Sequence, residues 1–356
     1  AAQQIALQQR HRVLPGVHDL AYFAPRGPRP AAAGPCGRAR FSVTVSMRAP
    51  DSAQPQTAPT QARGRANGAL SRWMTVDWRT HQRWVPVDGQ PLNTIELGAG
   101  EKTIVFVHGL SGSWPNWLEQ LPAFADSYRV LAMDLPGFGH SPMPREQVSM
   151  SGYARTLDGL LAARGVDAAV VVGNSMGGFI GCELAIDYPQ RVERLVLVSA
   201  AGLSTYNEPA ATRALPGLRR AQRVLAGTSA WLAARSDAVT RRPRLRREVL
   251  RLVAAHPEQL PAALAAEQLR GAGKPGFLDA LGAVLTYDVR ARLPKIACPT
   301  LVVWGERDRL ISVRDADVFE QLIPNARKVI FKDTGHVAML ERPTQFNALL
   351  AGFLAE

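Results

Sequence analysis

From about residue 83 onward, short apolar runs alternate with stretches of helical periodicity. Residues 83–99, RWVPVDGQPLNTIELGA, read as two strands about an Asp88-Gly89 turn. TIVFVHG (103–109) is a solid apolar run closed by a glycine loop, PNWLEQLPAFA (115–125) has helical spacing, and YRVLAMDLPG (128–137) is strand-like again. SMSGYARTLDGLLAARG (149–165) predicts an amphipathic helix stopped by Gly165. AAVVVGNS (168–175) is strand, MGGFIGCELAIDYP (176–189) helix and VERLVLVSAAG (192–202) strand. Valine-rich runs separated by helices predict a mostly parallel sheet with helices on both faces. The rhythm breaks over 203–295, where GLRRAQRVLAGTSAWLAARS and RREVLRLVAAHPEQLPAALAAEQL are helical and no strand is evident. It resumes with PTLVVWGERD (299–308), SVRDADVFEQLIP (312–324), ARKVIFKDTGH (326–336) and TQFNALLAGFLAE (344–356). A helical block between two strands of one sheet is expected to lie beyond the strand ends as a lid.

Composition changes this picture at the amino end. Residues 1–70 cluster Pro, Gly, Ala, Gln and Arg, as in PRGPRPAAAGPCGRAR, and carry too little apolar surface to offset the entropy of ordering. The expected organisation is a disordered arm over 1–70, a first core part over 71–202, a helical cap over 203–295 and a second core part over 296–356. Met47 lies inside the arm, which is also readable as an over-extended translation start. The 356 residues carry a net charge of +12. Arginine supplies most of it, concentrated in the arm and in 213–251. With no nucleic-acid motif beside it, the charge reads as solvated helix faces, and nucleic acid is not an expected partner. Cys36, Cys182 and Cys298 are widely spaced, so neither a zinc site nor a disulfide framework is expected. No apolar run reaches the ~18–20 residues of a transmembrane segment. The amino end also lacks the layout of a secretion signal, and a cytoplasmic location is the expectation.

The candidate chemistry sits where strands end. In an open parallel sheet, ligands bind beyond the carboxyl ends of the strands. Four predicted strands end at His108-Gly109-Leu110, Ser175, Asp308 and His336. A parallel sheet gathers these distant residues at one edge, supplying a nucleophile, a base and a carboxylate to orient the base. A serine between Gly173 and Gly177, on a sharp strand-to-helix turn, stands clear of the sheet while neighbouring chain passes closely. The turn aims the backbone N–H of Met176 into the site, and the N–H of Leu110 is the second expected donor to an oxyanion. Ser175 is otherwise a helix cap, and His336 otherwise a surface histidine. Asp315 and Asp333 compete with Asp308 for the acid role; 199–204, SAAGLS, offers no carboxylate. Asp134 and His140 read as structural, and His108 as a brace for the loop that follows it. Trp114 and Trp117 are read equally as lining an acyl pocket or packing their helix. Trp114 and Val337 are the candidate substrate contacts.

Gly173-Asn174-Ser175-Met176-Gly177 resembles the nucleophile elbow of the α/β-hydrolase superfamily, and the Ser…Asp…His order is that family's order. VFVHGL resembles its oxyanion loop and MDLPGFGHS (133–141) its D-x-P-G-x-G-x-S stretch. LVVWGERD resembles the segment carrying the acid, and GHVAMLERPTQFN the histidine followed by Glu-x-Pro and Phe-Asn. The resemblance covers about 83–356 apart from the lid. It implies an α/β-hydrolase fold with an inserted helical lid and catalytic Ser175, Asp308 and His336. Serine at the elbow sets the chain apart from the dehalogenase-like and epoxide hydrolase-like members, which use aspartate. The expectation is a carboxylic ester hydrolase with an apolar acyl pocket, acting on a small-molecule ester without metal or organic cofactor. C–C hydrolysis of the meta-cleavage-product type, perhydrolysis or lysis by the same triad, and a non-catalytic receptor are the alternatives. His-Gly-Leu-Ser-Gly-Ser is poorer in glycine than the oxyanion loops common among meta-cleavage-product hydrolases.

Overall fold

The computed structural model describes residues 71–206, 227–228 and 231–356, all of which fall within one unit, Ala53–Glu356. The expected arm over 1–70, with Cys36, lies outside the described residues, as does 207–226 of the expected cap. The described residues hold eight strands: β1 (Gln82–Val87), β2 (Gln90–Leu97), β3 (Thr103–Val107), β4 (Arg129–Met133), β5 (Ala169–Asn174), β6 (Val192–Val198), β7 (Thr300–Gly305) and β8 (Ala326–Phe331). They form one sheet in the order β1-β2-β4-β3-β5-β6-β7-β8. β2 runs antiparallel to both neighbours, and every pairing from β4 to β8 is parallel. The β1–β2 hairpin closes on Asp88 (φ 50°) and Gly89 (φ 71°). Positive φ at both positions is the two-residue turn whose twist matches the flanking strands.

Covering layers explain the strand sequences. β3, β5 and β7 are buried at every position, so they read as unbroken apolar runs. Alternate residues point to opposite faces. Val105, Val171, Leu197 and Val302 pack with Leu157 and Leu161 of α1 (Met150–Ala163) and Ile180 and Leu184 of α2 (Met176–Asp187). Ile104, Phe106, Val172 and Val303 pack on the other face with Leu121 and with Phe346, Leu350 and Phe353, from the last helix of the chain. α1 starts where Ser149 Oγ accepts from Gly152 N (3.0 Å) and stops before Gly165, φ 65°. The 115–125 stretch divides into a 3-10 turn (Trp114–Trp117) and a single α turn (Leu121–Phe124), each with a proline in its first two positions. Trp117 is fully buried, 5.0 Å between ring centroids from Phe106, and its indole Nε1 has no partner among the described residues. Burying the ring is worth about 4–6 kcal/mol against about 1–3 for the unpaired donor, so packing wins.

Between β6 and β7 the described residues hold a short helix (Ser236–Thr240), α3 (Pro243–Leu250), α4 (Ala262–Arg270) and α5 (Phe277–Thr286), and no strand. One arginine here departs from the solvated-face expectation. Arg246 is buried, and its guanidinium donates to the carbonyls of Thr240 (2.7 Å), Pro257 (3.0 Å) and Glu258 (2.6 Å). These bonds replace the water a buried charge would otherwise lose. α6 (Arg314–Leu322) and α7 (Pro343–Ala355) complete the layers. Cys182 is buried and Cys298 half-buried; burial raises both thiol pKa values, and neither cysteine is disulfide-bonded.

Candidate active site

At the end of β5 the backbone of Ser175 takes φ 56°, ψ −118°, a sparsely populated conformation that costs about 1–3 kcal/mol. Neighbouring main chain holds it there. Ser175 N donates to Val198 O (2.9 Å), and Ser175 O accepts from Phe179 N (3.2 Å) and Ala201 N (3.0 Å). The flanking glycines are required by contact. A Cβ on Gly173 would lie 2.3 Å from Gly177 O, and one on Gly177 would lie 2.2 Å from Val107 O. Ser175 occupies the N-cap position of α2, yet its side chain makes no capping bond. Its hydroxyl is therefore free for another use.

The loop after β3 passes against this serine: a Cβ on Gly109 would be 3.0 Å from Ser175 Cβ. A turn shapes the loop, with Gly112 N donating to Gly109 O (3.0 Å) and Ser111 at φ 63°. His108 is buried beneath it. Its Nδ1 meets Gly109 O at 2.8 Å and its Nε2 accepts from Leu135 N at 3.0 Å. Nδ1 must carry the proton to donate to a carbonyl, so these partners fix the neutral tautomer. Burial pushes the His108 pKa below the ordinary histidine value, outweighing the opposite pull of Asp134 and of the Gly109 bond. Asp134 fastens the same loop. It accepts from Trp114 N (2.8 Å), His140 N (2.9 Å) and Asn93 Nδ2 (2.7 Å). Leu110 is half-buried against the core. Among the described residues, the N–H groups of Leu110 and Met176 have no acceptor; Met176 opens its helix, where no intrahelical acceptor exists.

Asp308 and His336 meet beside the elbow. His336 is 3% exposed, and its Nδ1 lies 2.8 Å from Asp308 Oδ2. The other oxygen, Oδ1, accepts from Leu310 N (2.9 Å) and Ile311 N (3.0 Å). A carboxylate only accepts, so Nδ1 carries the proton and the neutral ring keeps a basic Nε2. Asn174, next to the serine, donates to His336 O (3.3 Å) and Val198 O (3.0 Å), binding the histidine loop to the elbow. Among the described residues the imidazole hydrogen-bonds Asp308 alone, and the Ser175 side chain carries no hydrogen bond. A serine–imidazole bond often tightens only with substrate in place. The competing carboxylates point elsewhere. Asp315 accepts from Ser204 N (2.9 Å). Asp333 pairs with His256 (2.7 Å) and Arg307 (2.6 Å); the His256 bond, foremost, holds its carboxyl below the usual range. Trp114 is half-buried with its ring 5.0 Å from that of Trp78, and Val337 is half-buried against the core.

Two residues that sequence reasoning passed over join the β6–β7 insertion to this site. Glu341 Oε1 accepts from Gly335 N (2.8 Å), beside His336, while Oε2 accepts from Ala255 N (2.8 Å) and His256 N (3.3 Å). Burial raises its pKa against those three bonds. His256 adds the bond to Asp333. The Glu-x-Pro pattern after His336 marked Glu341 in the sequence, although nothing there gave its partners.

A family model described as the alpha/beta hydrolase fold matches residues 102–343, a span that holds Ser175, Asp308 and His336. The chain belongs to the α/β-hydrolase family. This hydrolase is 32% identical over 268 residues to the dihydrolipoyllysine-residue acetyltransferase component of the acetoin cleaving system of Cupriavidus necator, across 75% of the chain and 67% of that protein. It is 30% identical over 287 residues to a 2-hydroxy-6-oxononadienedioate/2-hydroxy-6-oxononatrienedioate hydrolase of Paraburkholderia phymatum, across 73% of the chain and 90% of the relative. Among solved structures, the enol-lactonase from Burkholderia xenovorans LB400 superposes with a TM-score of 0.62 at 26% identity, covering 77% of this chain and 100% of that one.

Proposed function

We propose that this hydrolase cleaves a carboxylic ester through an acyl-enzyme. Ser175 attacks the acyl carbon while Nε2 of His336 accepts its proton. Asp308 holds the imidazole with Nδ1 protonated and stabilises the cation that forms. The N–H groups of Leu110 and Met176 receive the oxyanion, each lowering the barrier by about 3–4 kcal/mol. The imidazolium returns its proton to the departing alkoxide, then activates the water that releases the acid. In this reading the helices within 203–295 form a cap that shapes an apolar acyl pocket.

One observation carries the reading: a buried Asp308–His336 pair beside a serine held at φ 56°, with two backbone donors lacking acceptors. The lactonase neighbour supports the ester class, since a lactone is an internal ester. The test is Ser175→Ala. Turnover of a p-nitrophenyl ester is expected to fall by about 10⁶ with the fold intact, and a fluorophosphonate is expected to label the peptide containing Ser175. Wild-type turnover in the alanine variant would dismiss the assignment. A second reading, C–C cleavage of a vinylogous diketone by the same residues, draws on the Paraburkholderia relative. Faster hydrolysis of such a dienoate than of any ester in a chain-length panel would select it.

A further inference from the structure

The outer side of α3 and the turn after it combine two features. The first is uncompensated positive charge. Arg241, Arg242, Arg244, Arg247 and Arg251 are exposed, and none has an ion pair among the described residues. Glu248 is the only acidic residue between 241 and 252. Several arginines elsewhere are paired, Arg129 and Arg164 with Glu96 and Arg292 with Glu183 and Asp187, but nowhere else among the described residues do five exposed arginines without an ion pair fall within eleven positions. The second feature is exposed aliphatic surface within the same stretch. Leu245 is 41% and Leu252 52% exposed. Leu245 lies on α3 and Leu252 in the turn that follows it, both exposed in the same stretch as the arginines. Arg246 and Leu250 face inward and anchor the helix, so the outer side is presented by a fixed element. The patch continues across the chain. Arg309 Nη1 donates to Arg251 O (3.2 Å), and Leu310 beside it is 47% exposed.

We propose that this face of α3, with Arg251, Leu252, Arg309 and Leu310, docks the enzyme on an anionic lipid surface. Arginines bind lipid phosphates and the negative surface potential, while adjacent leucines enter the headgroup–acyl boundary. A dissolved polyanion such as a nucleic acid would use the arginines and leave the leucines idle, so the pairing favours lipid. Docked in this way, the Asp308 turn, whose N–H groups at 310 and 311 hold the carboxylate, lies at the lipid boundary. The proposal does not depend on the reaction assigned above.

The test is cosedimentation of the full chain with vesicles of ether-linked phosphatidylcholine, pure or containing about one third ether-linked phosphatidylglycerol; ether linkages keep hydrolysis from altering the surface. Binding is expected to the anionic vesicles and to weaken with added salt. The triple variant Arg244→Glu/Arg247→Glu/Arg251→Glu is expected to lower the partition coefficient by more than about tenfold. Leu245→Ser/Leu252→Ser is expected to lower it about five- to tenfold while leaving retention on heparin unchanged. Thermal unfolding midpoints check that each variant folds, and Arg→Gln at the same three positions replaces the charge reversal if that variant does not. Equal binding to both vesicle types overturns the proposal, as does wild-type vesicle binding by the arginine variant. Wild-type vesicle binding by the leucine variant assigns the patch to a soluble polyanion and overturns it too.

Discussion

Asp308→Asn tests the proposed reaction most sharply, because the structure fixes which way the new amide would face. Oδ1 of Asp308 accepts two backbone N–H groups, from Leu310 at 2.9 Å and Ile311 at 3.0 Å. An asparagine keeps both bonds only with its oxygen in that position, which turns its NH₂ toward Nδ1 of His336. Nδ1 must then accept, so the proton moves to Nε2 and the ring loses its basic atom toward Ser175. The opposite rotamer would preserve the useful tautomer but would face the NH₂ toward two donors. Leaving two donors unsatisfied costs about 1–3 kcal/mol each, or about 2–6 in all. The unproductive arrangement therefore dominates by a factor of about 30 or more. The expected result is a fall of about 10⁴ in kcat, equivalent to about 5.5 kcal/mol, with KM and unfolding midpoint little changed. Steady-state hydrolysis of a p-nitrophenyl ester measures it, with circular dichroism as the fold check. An asparagine variant within about tenfold of wild type would mean that the imbalance between the two amide orientations has no bearing on turnover, and the Asp308–His336 pair would lose its assigned role.

Three further outcomes are expected. Gly177→Ala puts a methyl 2.2 Å from Val107 O and 2.7 Å from His108 O, both main-chain atoms; it should destabilise by about 1–3 kcal/mol or more and impair turnover, read by urea unfolding and the ester assay. Gly282→Ala is the converse, because nothing lies within 4 Å of the added methyl in α5; stability should rise by about 0.5–1 kcal/mol, and a loss would contradict the contact analysis. His108 titrates below its ordinary 6.5 in the fold because of burial. Its contribution is full above pH 6.5 and is lost as the pH falls, because the unfolded chain takes up the proton first. The slope reaches about 1.4 kcal/mol per pH unit. His108→Gln should flatten the wild-type stability profile just below that pH in denaturant titrations; an unaltered slope would reject the buried neutral ring.

Much of the fold was legible because the sheet is deeply covered. β3, β5 and β7, buried on both faces, leave valine-rich runs that stand out from the helices between them. The hairpin was legible from two residues, Asp88 and Gly89. Ser175, Asp308 and His336 could be singled out as candidates because each follows an apolar run and sits in a glycine-containing loop. What the sequence withheld depends on partners far apart in the chain. Glu341 bonds Ala255 across 86 residues, and His256 bonds Asp333 across 77; no local pattern announces either. Arg246 looks like Arg244 and Arg247 in the sequence, and only the carbonyls of 240, 257 and 258 distinguish it. The sequence already preferred Asp308 to Asp333; what it did not reveal are the N–H groups of Leu310 and Ile311 that hold the Asp308 carboxylate.

The bridge made by Glu341 uses main-chain amides on the insertion side rather than side chains. Residue 255 can therefore drift to almost any identity other than proline without loosening the loop that carries His336, whereas His256 is tied to that loop by its ring as well, through Asp333. One carboxylate in the segment after β8 thus keeps its hold on the insertion through the backbone, whatever side chain stands at 255.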